Sequence, residues 1–235
     1  MMIRASLLTV LLCLIYAGTI ASVTVPSQTA AAQSTQLYLP SISNNVCGSF
    51  FDTFDSPTSG WITGQYGDLR AEIANGEYIL SFTSAGMVWL VPGPVCQHST
   101  YRAAVDVHWA GDTGNFAGLL FNLDDNTQNG FLFAINTDDR VWLVLEVVGG
   151  SIRTVISPVG NDAILPGNAV NRLAVERLDQ SVVLFINGTT VGAMPDNQPG
   201  KHVIAGVSAA SYTTQQQAEA RFDNFHYEGI GPLDN

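Results

Sequence analysis

From Leu69 onward the chain repeats one pattern, a short run of β-branched and aromatic residues followed by turn formers. No stretch sustains the period of an amphipathic helix. A chain built this way has to bury its apolar side chains through strands. The runs predict strands over 69–74, 77–83, 87–91, 101–109, 116–122, 131–136, 141–148, 152–156, 171–178, 182–187, 203–208 and 218–227. Asn75-Gly76 and Asn187-Gly188 mark two tight hairpins, because such turns need the positive φ that Asn and Gly tolerate best. Tyr101, Ala103, Val105, Val107 and Trp109 fall on one face of their strand, and Arg102, Ala104, Asp106 and His108 on the other. The run Phe131-Leu132-Phe133-Ala134-Ile135 is apolar on both faces and belongs between two layers or under a covering loop. A dozen such strands, without an internal repeat of fixed period, predict an all-β fold, a two-sheet antiparallel sandwich of jelly-roll type.

The N-terminus reads differently. Arg4 precedes an apolar run from Leu7 to Ala17 and then small residues, the order of a secretory signal peptide, with cleavage expected after Ala21. That run is shorter than the roughly 20 residues of a membrane span, so no membrane span is expected once the signal is removed. Residues 22–46, rich in Ser, Thr, Ala and Gln and free of charge, read as a low-complexity spacer, and 47–231 as one β-sandwich domain. In an exported chain Cys47 and Cys96 are expected to form a disulfide, which on the chain-entropy account stabilises the fold by about 4 kcal/mol. The formal net charge of −11 makes nucleic acid and other polyanions poor partners.

Three stretches carry a resemblance: Phe51-Asp52-Thr53-Phe54-Asp55 with Ser59-Gly60-Trp61, then Asn171-Arg172-Leu173-Ala174-Val175-Glu176 running into Phe185-Ile186-Asn187-Gly188-Thr189, and finally Phe222-Asp223-Asn224-Phe225. Together they resemble the concanavalin A-like lectin and glucanase superfamily, in particular the laminin-G-like and sugar-hydrolase-related domains of exported bacterial proteins. The resemblance implies a closing strand at Phe222–Phe225 lying beside an opening one at Phe51–Phe54. It also implies a curved jelly roll whose concave face, or the loops along one edge, holds glycans, so that the expected partner is a polysaccharide or surface glycan.

The laminarinase-type enzymes of that superfamily place two glutamates around an aspartate on one strand, as Glu-x-Asp-x-x-Glu or Glu-x-Asp-x-Glu, and neither spacing occurs in this chain. A retaining glycosidase needs two carboxyl groups about 5 Å apart. If this chain were such an enzyme, Glu146 and Glu176 would have to meet across strands. The expectation is therefore a non-catalytic glycan-binding module, with a glycoside hydrolase or a protein-binding surface domain as alternatives. The candidate ligand contacts are Trp142, Arg140 and Glu146 on one alternating strand and His108, Asp106 and Arg102 on another; core packing competes for Trp142, and plain solvation for the second set. Calcium, common in the superfamily, has two candidate structural sites: the loop with Asp124, Asp125, Asn126 and Asn129, which departs from the EF-hand pattern, and the pair Asp52 and Asp223. Asp112-Thr113-Gly114 matches half of an aspartic-protease site, but with no second copy it reads as a hairpin loop. The four histidines show no zinc spacing.

Overall fold

Strand-forming runs of this length bury apolar surface by stacking two sheets about 10 Å apart, and the chain does so. The computed structural model describes residues 34–37, 48–83, 87–95, 98–111, 115–124, 127, 129–198, 203–211 and 218–230, all within one unit, Ala31–Asn235. The leader, Cys47, Cys96, Asp112–Gly114, Asp125, Asn126 and His202 lie outside the described residues.

A seven-stranded sheet has the order β1 (Ser34–Leu37), β6 (Met87–Pro92), β15 (Ile204–Ser211), β8 (Phe116–Asp124), β9 (Asn129–Asn136), β10 (Val141–Val148), β11 (Ser151–Gly160). A nine-stranded sheet has the order β14 (Thr189–Pro195), β13 (Ser181–Ile186), β12 (Asn171–Leu178), β7 (Tyr101–Gly111), β16 (Ala218–Gly229), β5 (Glu77–Phe82), β4 (Leu69–Ala74), β3 (Gly64–Tyr66). In this second sheet β2 (Ser49–Asp52) pairs with β16 beyond the end of β5. The pairing is antiparallel except between β1 and β6. Residues 34–37, expected as part of a spacer, thus contribute an edge strand. The opening and closing strands meet as the resemblance implied, with Phe225 opposite Asp52 and His226 opposite Phe51.

Both Asn-Gly hairpins form: Asn75 and Gly76 have φ of 57° and 77°, Asn187 and Gly188 of 49° and 79°. The expected alternation along β7 holds, with Tyr101, Ala103, Val105, Val107 and Trp109 buried in the core and Arg102 exposed. Between the sheets, Phe82 stacks on Trp89 at 4.5 Å and meets Trp109 edge-on. A second aromatic group, Phe54, Trp61, Tyr78 and Phe225, closes the end where β2 enters. Asp52 organises that end. Its carboxylate accepts the Phe54 N–H at 2.7 Å and the Trp61 Nε1–H at 2.9 Å.

The two outer faces differ in chemistry. On the seven-stranded sheet the side chains pointing away from its partner include Val88, Leu90, Leu120, Leu132, Ala134, Leu143, Leu145, Val147 and Ala210, all at most 3% exposed. Its two edge strands, β1 and β11, approach one another, so this sheet curls and the aliphatic face is the concave one. The outer face of the nine-stranded sheet is a ladder of charged and amide groups.

Candidate functional site: a polar cavity at the sheet edge

The expectation that a concave face would hold a glycan is corrected by its composition. Aliphatic side chains offer neither hydrogen bonds to hydroxyls nor the flat ring on which a sugar stacks. The seven strands of that sheet hold two carboxylates, Asp124 and Glu146, and Glu146 points to the opposite, inner face. There Glu146 is buried, ion-paired with Arg153 and accepting a hydrogen bond from Asn197 Nδ2 at 3.0 Å. Glu176 stands on the outer face of the other sheet, paired with Arg102 at 2.9 Å. The nine-stranded sheet itself lies between the two glutamates, so they do not form the carboxyl pair considered above.

Trp142 is likewise withdrawn from any ligand. It lies between the sheets at 3% exposure, edge-on to Phe133, with the tip of its ring over Gly192, where a Cβ would come within 2.8 Å. The alternation that grouped Trp142 with Glu146 is real, but the face they share is the core face. Arg140 parts from both because it belongs to the turn before β10, with φ of 51°.

That turn builds a cavity. Asn136 Oδ1 accepts the backbone N–H groups of Asp138 and Asp139, each at 3.0 Å, which shapes the β9–β10 hairpin. Arg140 then donates from Nε to the Ile164 carbonyl at 3.0 Å and from Nη2 to the Asp162 carbonyl at 2.7 Å, with the Asp162 carboxylate 3.3 Å away. The backbone N–H of Asn161 returns a bond to the Arg140 carbonyl at 2.9 Å. Because Val141 pairs with Gly160, the hairpin and residues 160–162 face each other across a cavity of about 320 Å³ lined by Asp139, Arg140, Gly160, Asn161 and Asp162. Asn161 Oδ1 is spent on the Ala163 N–H at 2.8 Å. Among the described residues, Arg140 Nη1, Asn161 Nδ2 and the Asp139 carboxylate have no protein partner. The site therefore combines held donors with one open carboxylate, Asp139, and one paired with Arg140, Asp162, a mix of donors and acceptors that can meet hydroxyl groups.

The remaining candidates sit on the outer face of the nine-stranded sheet. His108 Nε2 lies 2.6 Å from Glu77, which also takes Arg221 at 2.9 Å. Asp106 accepts from Arg172 Nη1 at 2.8 Å and from Asn224 Nδ2 at 2.9 Å, and the same Asn224 nitrogen reaches Asp223 at 3.2 Å. Desolvation, and then the nearby carboxylates Asp106, Glu77 and Asp55, raise the Asp223 carboxyl above its ordinary range. Of the two candidate calcium sites, Asp52 accepts from Phe54 and Trp61, and Asp223 accepts from Asn224. Asp124 and Asn129 face each other across the β8–β9 hairpin, and Asn129 Oδ1 accepts the Gly149 N–H at 2.9 Å. No cluster of three acidic, histidine or cysteine side chains able to hold a metal occurs among the described residues.

Sequence reasoning missed Asp139, Asn161 and Asp162. Their signal was the polar turn Thr137-Asp138-Asp139-Arg140, readable as a hairpin. It also missed Arg177, which is fully buried with Asp196 at 2.8 Å and ties β12 to the loop after β14.

No family model matches the chain, and no curated protein is similar to it. Solved structures are similar in shape. The β-glucanase of Bacillus licheniformis superposes with a TM-score of 0.57 at 15% identity, over 77% of this chain and 98% of its own. The Crh5 transglycosylase in complex with NAG gives 0.60 at 12%, over 83% and 89%. A prokaryotic β-1,3-1,4-glucanase (lichenase) derived from a mouse hindgut metagenome gives 0.57 at 14%, over 78% and 100%. The chain has the concanavalin A-like jelly-roll sandwich fold. Likeness at this level of identity is a likeness of fold, so function has to come from the site.

Proposed function

We propose that this protein is an exported carbohydrate-binding sandwich that holds a sugar in the edge cavity at Arg140 and lacks a glycosidase's acidic strand. The observation that carries the reading is the arrangement of groups there: a pinned guanidinium, an amide and two carboxylates around an open surface depression of about 320 Å³. Support also comes from the fold, since structures named as glucanases and a transglycosylase share it, and from the separation of Glu146 from Glu176. Export rests on the leader at 1–21, and calcium at the Asp124 hairpin belongs to the same proposal. The test is a glycan array probed with the chain from residue 34 onward, in paired samples with calcium and with a chelator. Selective binding that Arg140→Ala abolishes supports the reading; silence from folded protein refutes it. Loss of binding or of thermal stability on chelation supports the calcium site, and indifference to the chelator removes it.

One observation favours a second reading, a glycoside hydrolase. Asp106 and Asp223 share the Asn224 amide nitrogen and sit in unlike environments, one beside Arg172 and the other desolvated. Release of reducing sugar from β-glucan that Asp223→Asn eliminates would establish it; binding without turnover would end it.

A further inference from the structure

We infer that the outer face of the nine-stranded sheet is a second carbohydrate surface, one that takes a linear, uncharged glycan lying across the strands between Phe51 and Phe185. This rests on the carbohydrate reading above but not on the Arg140 cavity.

The register of five strands carries the argument. Phe51 on β2 pairs with His226 on β16, His226 with Ala104 on β7, Ala104 with Ala174 on β12, and Ala174 with Phe185 on β13. Paired residues project to the same side, so these five side chains form one row across the outer face. Small residues in the middle make a low floor, and an aromatic ring stands at each end. Phe51 is 59% exposed and meets His226 edge-on at 6.3 Å; Phe185 is half-buried. A single exposed phenylalanine is ordinary on a protein surface; two rings on one row, however, offer faces on which the apolar C–H side of a pyranose can stack.

The neighbouring rows make walls. On one side stand Arg102 and Glu176, paired at 2.9 Å, with Glu228 opposite Arg102. On the other stand Asp106 and Arg172, paired at 2.8 Å, and Asn224. Each wall arginine already faces a carboxylate, so the flanking rows present no unmatched arginine for an anionic ligand. The flanking rows instead offer hydrogen-bonding groups on both sides of the floor. Four strand spacings separate the two rings, about 19 Å at about 4.8 Å each, the length of roughly three to four hexoses in an extended chain. The matched charges and the net charge of −11 together favour an uncharged chain over a uronate one.

The experiment is calorimetric titration of the full chain with cello- and laminari-oligosaccharides of two to six units, with oligogalacturonates as the charged comparison. Affinity should climb to about the tetrasaccharide and then level, and oligogalacturonates should not bind. Phe51→Ala and Phe185→Ala should each weaken the tetrasaccharide by about ten-fold. Ala174→Phe, which fills the floor from the solvent side, should abolish chain binding while thermal unfolding stays within a few degrees of wild type. Binding that is independent of length, or unchanged in both phenylalanine variants, overturns the inference. If Arg140→Ala removes all binding and the row variants none, the second surface is refuted while the edge cavity stands. If the wild-type chain binds no glycan, both readings fall together.

Discussion

At the scale of single residues, the carboxylates divide into those whose charged form the fold satisfies and those whose charged form it opposes. Asp52 belongs to the first group: its two oxygens satisfy a buried indole N–H and a backbone N–H. Replacing it by alanine leaves both donors unsatisfied in the Trp61 cluster, which should cost about 2–4 kcal/mol. Urea unfolding should show a lower midpoint at unchanged slope. Asp223 is the opposite case. Its carboxyl is raised above the ordinary 3.8 by desolvation first and by neighbouring carboxylates second, so between 3.8 and the raised value the folded chain holds a proton that the unfolded chain has released. Stability should therefore fall as pH rises through that window. Asp223→Asn should raise the melting temperature at pH 7, and the gain should vanish near pH 3. A gain of equal size at both pH values would contradict the assignment.

At the scale of elements, much was legible because each strand advertises itself locally. β4, β10 and β12 have the bounds their apolar runs predict, and most of the others differ by one to three residues at their ends. β1, β3 and β14 escaped notice because Ser34–Leu37 and Gly64–Tyr66 are short and polar, and Thr189–Pro195 is interrupted by Gly192 and ends on Pro195. They are edge strands, so pairing instead of hydrophobic pattern places them. The Asn-Gly hairpins were legible for a stereochemical reason that a substitution tests. Gly188 holds φ of 79° with open space where a Cβ would stand, so Gly188→Ala meets no steric clash and should cost about 1 kcal/mol from the left-handed backbone alone. Thermal unfolding would register it as a small drop, while a loss several times larger would mean that the hairpin does more than turn the chain.

At the scale of the whole molecule, sequence pattern was enough for a sandwich and too little for its site. Strand alternation reveals which residues share a face. It does not reveal whether that face is turned inward, and this is why Trp142 and Glu146 passed for ligand contacts when both point between the sheets. The edge cavity exists because Val141 pairs with Gly160 across a strand pair whose register shifts twice, a relation that no local pattern encodes. The row from Phe51 to Phe185 likewise needs four pairings at once. Arg140 alone among the expected contacts lies in the cavity, and it does so through its turn conformation rather than through the strand face that suggested it.

The central claim is that a sugar occupies the cavity at Arg140. The most direct test is an amide chemical-shift titration of isotopically labelled protein with the mono- or disaccharide that binds best on the array, repeated on Arg140→Ala. The account predicts shifts concentrated at residues 138–141 and 160–163 that saturate with the sugar and disappear in the variant. Saturable shifts that leave those residues still, or that persist undiminished in Arg140→Ala, would contradict it.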